Sequence, residues 1–342
     1  MIKELCVIGH PSKLGGADTE LDHQIHLWRE MGIGVNICHT GTHYDDNLLK
    51  MKKEMVDIGC KYMPDRGWSN LDGYHTISFC NGEFLKEIAH IKKYAKTTTF
   101  VNCMTWNFPK ELIAQENNLL DFHLYQTQHQ YDKVSVQLKN TGKEYRPIFF
   151  NPYFNSDMFP FVERTNNETF NFGRISRGDG DKFGKSQIWI YEAMTAPVLK
   201  RGTILGWDHR GIKKIGHELP SYIKGHGEGA ITQQEFYSKC DVMVLTTDTF
   251  ENLPRIGFEA ISSGTLLVVD NKGGWKVLVE DGKTGWLCNN EREFVYKASR
   301  AAHEINETND LRLAARIKMA NTWGKESAMK SWENVFNEWE KI

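Results

Sequence analysis

The stretch Cys240–Asp270, CDVMVLTTDTFENLPRIGFEAISSGTLLVVD, decides the fold. Val242 to Leu245 is an unbroken apolar run, as in a strand buried on both faces. A polar loop holding Glu251 follows. Pro254 sits where a helix can begin, because its missing N–H would be unpaired there anyway. Ile256, Ala260 and Ile261 give that helix an apolar stripe, and Gly264 closes it. Thr265 to Val269 reads as a second buried strand. The product is a strand, loop, helix and strand, with Glu251 in the loop and Glu259 in the helix.

Such a unit puts its loop and helix N-terminus at the carboxyl edge of a parallel sheet, where open α/β folds bind ligands. The backbone from Leu253 through Pro254 and Arg255 to Ile256 has N–H groups, Pro254 excepted, able to face a phosphate. A carboxylate beside a phosphate is repelled by it, and is better suited to accept hydrogen bonds from sugar hydroxyls. The pattern therefore suits a nucleotide-sugar, with Glu251 at the transferred sugar and Glu259 at the ribose. Spacing alone leaves the alternative open that both are solvated surface residues.

Glu251, Pro254, Gly257, Glu259, Ala260 and Gly264 together resemble the Glu-x7-Glu motif of retaining glycosyltransferases of family four, which have the GT-B fold. The resemblance is strong over 171–285 and weak from about 40 to 120. The chain departs from it at Asn252 and Leu253, where small residues are common, and this bears on the shape of the sugar pocket. The implied fold is α/β, with two Rossmann-like doubly wound domains facing across a cleft. Residues 1–160 would form the acceptor side, 161–325 the nucleotide-sugar side, and 326–342 a helix returning to the first domain. Trp332, Val335, Phe336 and Trp339 give that helix an apolar face at i, i+3, i+4, i+7.

The rest of the chain adds candidates. Leu5 to Gly9 is a strand, and Gly15 and Gly16 let the following loop approach a ligand closely. The resemblance implies a donor-facing role for both glycines. They do not form Gly-x-Gly-x-x-Gly, which argues against a nicotinamide site. The family often has a donor-contacting histidine after the strand that here spans Thr98 to Cys103. This chain has Asn102 there, with Thr105 and His129 as alternatives.

In GRISRGDGDKFGKS, Arg174 and Lys182 match the two cations that bind the donor diphosphate, with Lys185 as the alternative to Lys182. Cations fixed beside a departing diphosphate lower its barrier. Trp207 opens the loop that would meet the nucleobase. Asp179 and Asp181 have the Asp-x-Asp spacing of metal-dependent transferases, but they lie in the setting of a metal-independent fold, so neither a metal nor a cofactor is expected beyond the nucleotide-sugar co-substrate.

Acidic and basic residues nearly balance, for a formal net charge of −2. This argues against a dedicated nucleic-acid binder. Seven scattered cysteines without a Cys-x-x-Cys read as reduced core residues of a cytoplasmic protein. The charged start MIKELCVIG does not read as a signal peptide. The basic segment Phe84 to Lys96 offers peripheral membrane contact as an alternative to a plain surface helix.

The expected activity is retaining, metal-independent transfer of a sugar from a nucleoside diphosphate to a hydroxyl of a glycan, glycolipid or small molecule. Two rivals stand beside it: transfer to a hydroxylated base of viral DNA, and a catalytically silent nucleotide-sugar binder.

Overall fold

The computed structural model describes residues 2–13, 15–41 and 44–342. It divides into two compact units, Met1–Asn155 with Thr322–Ile342, and Ser156–Asn321.

The first unit alternates strands and helices: β1 Glu4–Ile8, α1 Gly16–Glu30, β2 Gly34–Cys38, α2 Asp46–Asp57, β3 Lys61–Tyr62, β4 His75–Phe79, α3 Gly82–Lys92, β5 Thr97–Val101, α4 Pro109–Glu116, β6 Phe122–Tyr125, α5 Gln128–Lys139 and β7 Pro147–Phe149. The second holds β8 Thr169–Ile175, α6 Gln187–Ala193, β9 Leu199–Leu205, α7 His209–Ile215, β10 Ile223–His226, α8 Gln233–Lys239, β11 Val242–Leu245, α9 Arg255–Ser263, β12 Leu266–Asp270, α10 Trp275–Leu278, β13 Trp286–Cys288, α11 Glu291–His303 and α12 Asn309–Trp323. The last helix is α13, Lys325–Trp339.

Both sheets are parallel, in the orders β3-β2-β1-β4-β5-β6-β7 and β10-β9-β8-β11-β12-β13. In each, the strand order reverses beside the first strand, between β1 and β4 and between β8 and β11. Such switch points open a crevice at the carboxyl ends of the strands. The strand–loop–helix–strand reading of Cys240–Asp270 matches β11, α9 and β12. Gly264 ends α9 in the left-handed region at φ 77°. Asn81 caps α3 by accepting from the N–H groups of Glu83 and Phe84, and Phe84, Leu85, Ile88 and Ile91 are buried.

The apolar face of α13 is buried in the core of the first unit. Trp332 meets Trp28 edge-on at 4.8 Å and Phe150 at 4.9 Å, and its indole N–H donates to Gln24 Oε1 at 2.8 Å. Trp339 stacks on His75. Trp332→Ala should cost about 3–5 kcal/mol, because it opens a cavity and leaves Gln24 Oε1 with only the Tyr153 N–H as donor, at 3.1 Å; urea unfolding followed by tryptophan fluorescence measures the loss. All seven cysteines are free. Among the described residues no helix is long and apolar enough to cross a membrane.

Candidate active site in the second unit

Two loops meet at the switch point of the second sheet. One follows β8 and includes a 3-10 turn at Gly180–Lys182, and the other runs from β11 to α9. They are tied together by backbone: Asp248 N–H donates to Asp181 O at 3.1 Å, and Gly184 N–H to Thr246 O at 3.0 Å. Across this seam Lys182 Nζ lies 2.6 Å from Glu251 Oε1, both side chains about a fifth exposed. Lys185 is exposed. The expected cation and the expected sugar-facing acid thus touch.

Arg174 turns inward rather than outward. Its guanidinium is fully buried and donates to Gln187 Oε1 at 2.8 Å, Ser176 Oγ at 3.1 Å, Thr246 O at 3.3 Å and Lys182 O at 2.5 Å. It lies 4.0 Å above the Phe183 ring. Burial lowers its pKa to about 10, which leaves it charged at neutral pH. The expectation that it offers its charge directly to a diphosphate is therefore corrected for this structure. Arg174 ties the end of β8 to α6, to the end of β11 and to the carbonyl of Lys182.

Glu259 is buried in α9, and its Oε2 has no hydrogen-bond partner. Burial raises the carboxyl to about 7, against the lowering effects of Arg255 and Tyr237. The fold therefore binds this proton more tightly than the unfolded chain does. The resulting stabilisation is complete below pH 4.5 and is lost as pH rises to about 7. Glu259→Gln should gain on the wild type by on the order of 3 kcal/mol between pH 4.5 and pH 8, which urea titrations across that range can read.

The Glu251 loop rests on residues that sequence reasoning passed over. Gly274 N–H donates to Glu251 O at 2.8 Å. A Cβ at Gly274 would fall 1.6 Å from Asn252 O, so only glycine allows the approach. Asp270 accepts from Thr247 N–H at 2.8 Å and Thr246 Oγ1 at 3.1 Å, and it faces Lys272 at 3.5 Å. The glycine pair Gly273-Gly274 was the one signal present in the sequence.

Leu253, Pro254 and Arg255 are buried at the start of α9, and no side chain caps that helix. Trp207 is half-buried, edge-on to Phe183 at 5.5 Å, and packed so closely that a Cβ at Gly225 would stand 2.3 Å from its ring. Asp179 is paired with Arg210 at 2.9 Å and Arg177 at 3.3 Å. Among the described residues no group of three or more His, Cys, Asp or Glu is placed to hold a metal ion.

The remaining candidates lie in the first unit. Gly15 precedes α1 with φ 86°, a left-handed turn that favours glycine, and Gly16 begins the helix. Asn102 is buried with its amide committed. It donates to Trp106 O at 3.0 Å and Glu111 Oε2 at 2.9 Å, and accepts from Met104 N–H at 2.8 Å. Its assignment as a donor ligand is thereby corrected to that of a loop tie. Thr105 and His129 follow β5 and β6 at the carboxyl edge of the same sheet.

Residues 229–318, which include both glutamates, match the family model of glycosyl transferases group 1. No curated protein sequence matches the chain. Solved structures do. The Anabaena protein HepE, in complex with UDP and glucose, superposes with a TM-score of 0.70 at 14% identity, covering 98% of this chain and 100% of that one. Sucrose-phosphate synthase from Thermosynechococcus elongatus gives 0.72 at 12%, with 98% of each chain covered. A glycosyltransferase from Rickettsia africae gives 0.70 at 13%, with 99% of each covered. The chain has the GT-B fold, built of two Rossmann-like units, and its paired glutamates lie in a segment similar to glycosyl transferases group 1.

Proposed function

We propose that the protein is a glycosyltransferase that moves a sugar from a nucleoside diphosphate to an acceptor hydroxyl with retention of configuration. The observation that carries this reading is the contact of Lys182 with Glu251 at the β8/β11 switch point. The match of residues 229–318 supports it, as does the UDP held by the HepE structure of the same fold.

On this reading the diphosphate takes Lys182 from Glu251. The freed carboxylate then accepts hydrogen bonds from the sugar's hydroxyls. The bond from the anomeric carbon to the diphosphate oxygen breaks, and its electron pair leaves with the diphosphate. The acceptor oxygen bonds to the same face of that carbon, and its proton passes to the leaving phosphate. Lys182 and the uncapped N-terminus of α9 at Leu253, Pro254 and Arg255 stabilise the charge that develops. Arg174 acts as a positioning residue through the Lys182 carbonyl. Glu259 accepts from the ribose and Trp207 flanks the base. No step requires a metal.

The acceptor is a hydroxyl of a glycan, glycolipid or small molecule. The near-neutral charge balance favours these over a nucleic-acid base.

A panel of nucleoside diphosphate sugars tests the donor by thermal shift, since a ligand that binds the fold stabilises it by mass action. Turnover, or slow hydrolysis, of the stabilising donor separates an enzyme from a silent binder. Glu251→Ala with unchanged turnover would remove the role given to Glu251. Ribose hydroxyls that donate to Glu259 favour its charged form, so donor affinity should rise several-fold from pH 6 to pH 8. A pH-independent affinity, read by calorimetry, would detach Glu259 from the donor.

A further inference from the structure

Parallel sheets normally have both faces covered. The second sheet does not. Along β9, Gly202 and Ile204 are buried on the core side, while Leu199 and Arg201 are exposed and Thr203 is half-buried on the other. In β10, Lys224 is exposed and in register with Thr203, so it shares that face. α8 lies over β8, where Phe236 packs against Gly173, and it does not extend across β9 and β10. A cavity of ≈ 640 Å³ remains, bounded by β8, β9, β10 and α8.

The lining of this cavity is unbalanced in charge. Glu235 is its one acid, and it lies 3.3 Å from Lys239. The Lys200 ammonium is spent on the carbonyls of Tyr191, Glu192 and Met194. Arg201 and Lys224 have no acidic partner among the described residues. Leu199 is 59% exposed beside them, and Ile231 is half-buried at the rim. The whole chain carries a slight negative charge, so this cationic excess is local.

We propose that this face is a docking groove for an acidic polypeptide segment carrying apolar residues between its carboxylates. Charge complementarity selects the acid, which pairs with Arg201 and Lys224. Leu199 and Ile231 select the apolar residues. A phosphodiester chain draws its affinity from many cations at once, and two free cations set among aliphatic side chains do not supply that. The groove contains none of Lys182, Glu251 and Glu259. Docking there is independent of the donor site.

The test uses the full chain and a short fluorescein-labelled peptide of alternating Asp and Leu, read by fluorescence anisotropy at low salt. Arg201→Glu with Lys224→Glu should weaken binding about tenfold or more. Lys86→Glu, an exposed site in the first unit, should leave it unchanged. Nucleotide-sugar turnover should be the same in all three proteins. The milder Lys224→Gln should give an intermediate loss and guards against misfolding of the double variant. Equal binding by the wild type and the double variant overturns the proposal, as does no binding at all. Tighter Arg201- and Lys224-dependent binding of a single-stranded oligodeoxynucleotide also overturns it, in favour of a phosphate chain.

Discussion

Replacing Lys182 by methionine should lower turnover of the nucleotide-sugar by about 10²–10³-fold. Two effects act together. The transition state loses a cation beside the departing diphosphate. Glu251, stripped of the ammonium that lies 2.6 Å away in the wild type, also faces a dianionic ligand without its ion-pair partner. Glu251→Gln alone should cost less, because a neutral amide still contacts hydroxyls and leaves Lys182 free for phosphate. The double variant should therefore lose less than the product of the two single losses. Residues in direct contact couple in this way, typically by 0.5–3 kcal/mol. Steady-state kinetics on the four proteins of the cycle measure the coupling. Strict additivity would mean that the ion pair seen here has no part in the reaction path.

Gly274→Ala should be nearly as damaging, although residue 274 carries no chemistry. The new methyl would overlap Asn252 O at 1.6 Å and its carbonyl carbon at 2.4 Å. Backbone cannot yield as a flexible side chain does, so the Asn252–Leu253 peptide, next in the chain to Glu251, must move. A shift of about 1 Å in a positioned group can cost 10²-fold in rate, and that is the loss expected in turnover. Gly282→Ala is the control. Gly282 also has a left-handed φ, 74°, but open space surrounds its missing Cβ. It should cost about 1 kcal/mol of stability and leave turnover intact. If Gly274→Ala keeps full activity, the loop is looser than its contacts imply.

The two glutamates were legible because their surroundings are periodic. The apolar run of β11, the stripe of α9 and the glycine stop at Gly264 fix which residue lies in the loop and which in the helix. The resemblance pointed to Lys182 as a diphosphate cation, but its contact with Glu251 was not legible, since the two lie 69 positions apart in the chain. Nothing local records such a contact. The inward turn of Arg174 was not legible either. An arginine ending a strand can reach water or fold back, and here Phe183, Gln187 and the open carbonyls of Thr246 and Lys182 draw it in. Asn102 misled for a similar reason, because Glu111 and the Trp106 carbonyl absorb its amide. The bare face of β9 and β10 follows from the short reach of α8, and strand patterning does not contain that length.

The path of the chain carries one more consequence. The first unit draws its final helix from residues that follow the whole second unit in the chain, and Trp332, Phe336 and Trp339 fill its interior with no exposed surface. During synthesis the amino-terminal half therefore emerges with that seat open. The second unit, made of consecutive residues, can close on itself while the first still waits for its plug. A chain truncated just short of Lys325 would display an unsealed β-sheet in its first unit, the kind of surface that chaperones hold.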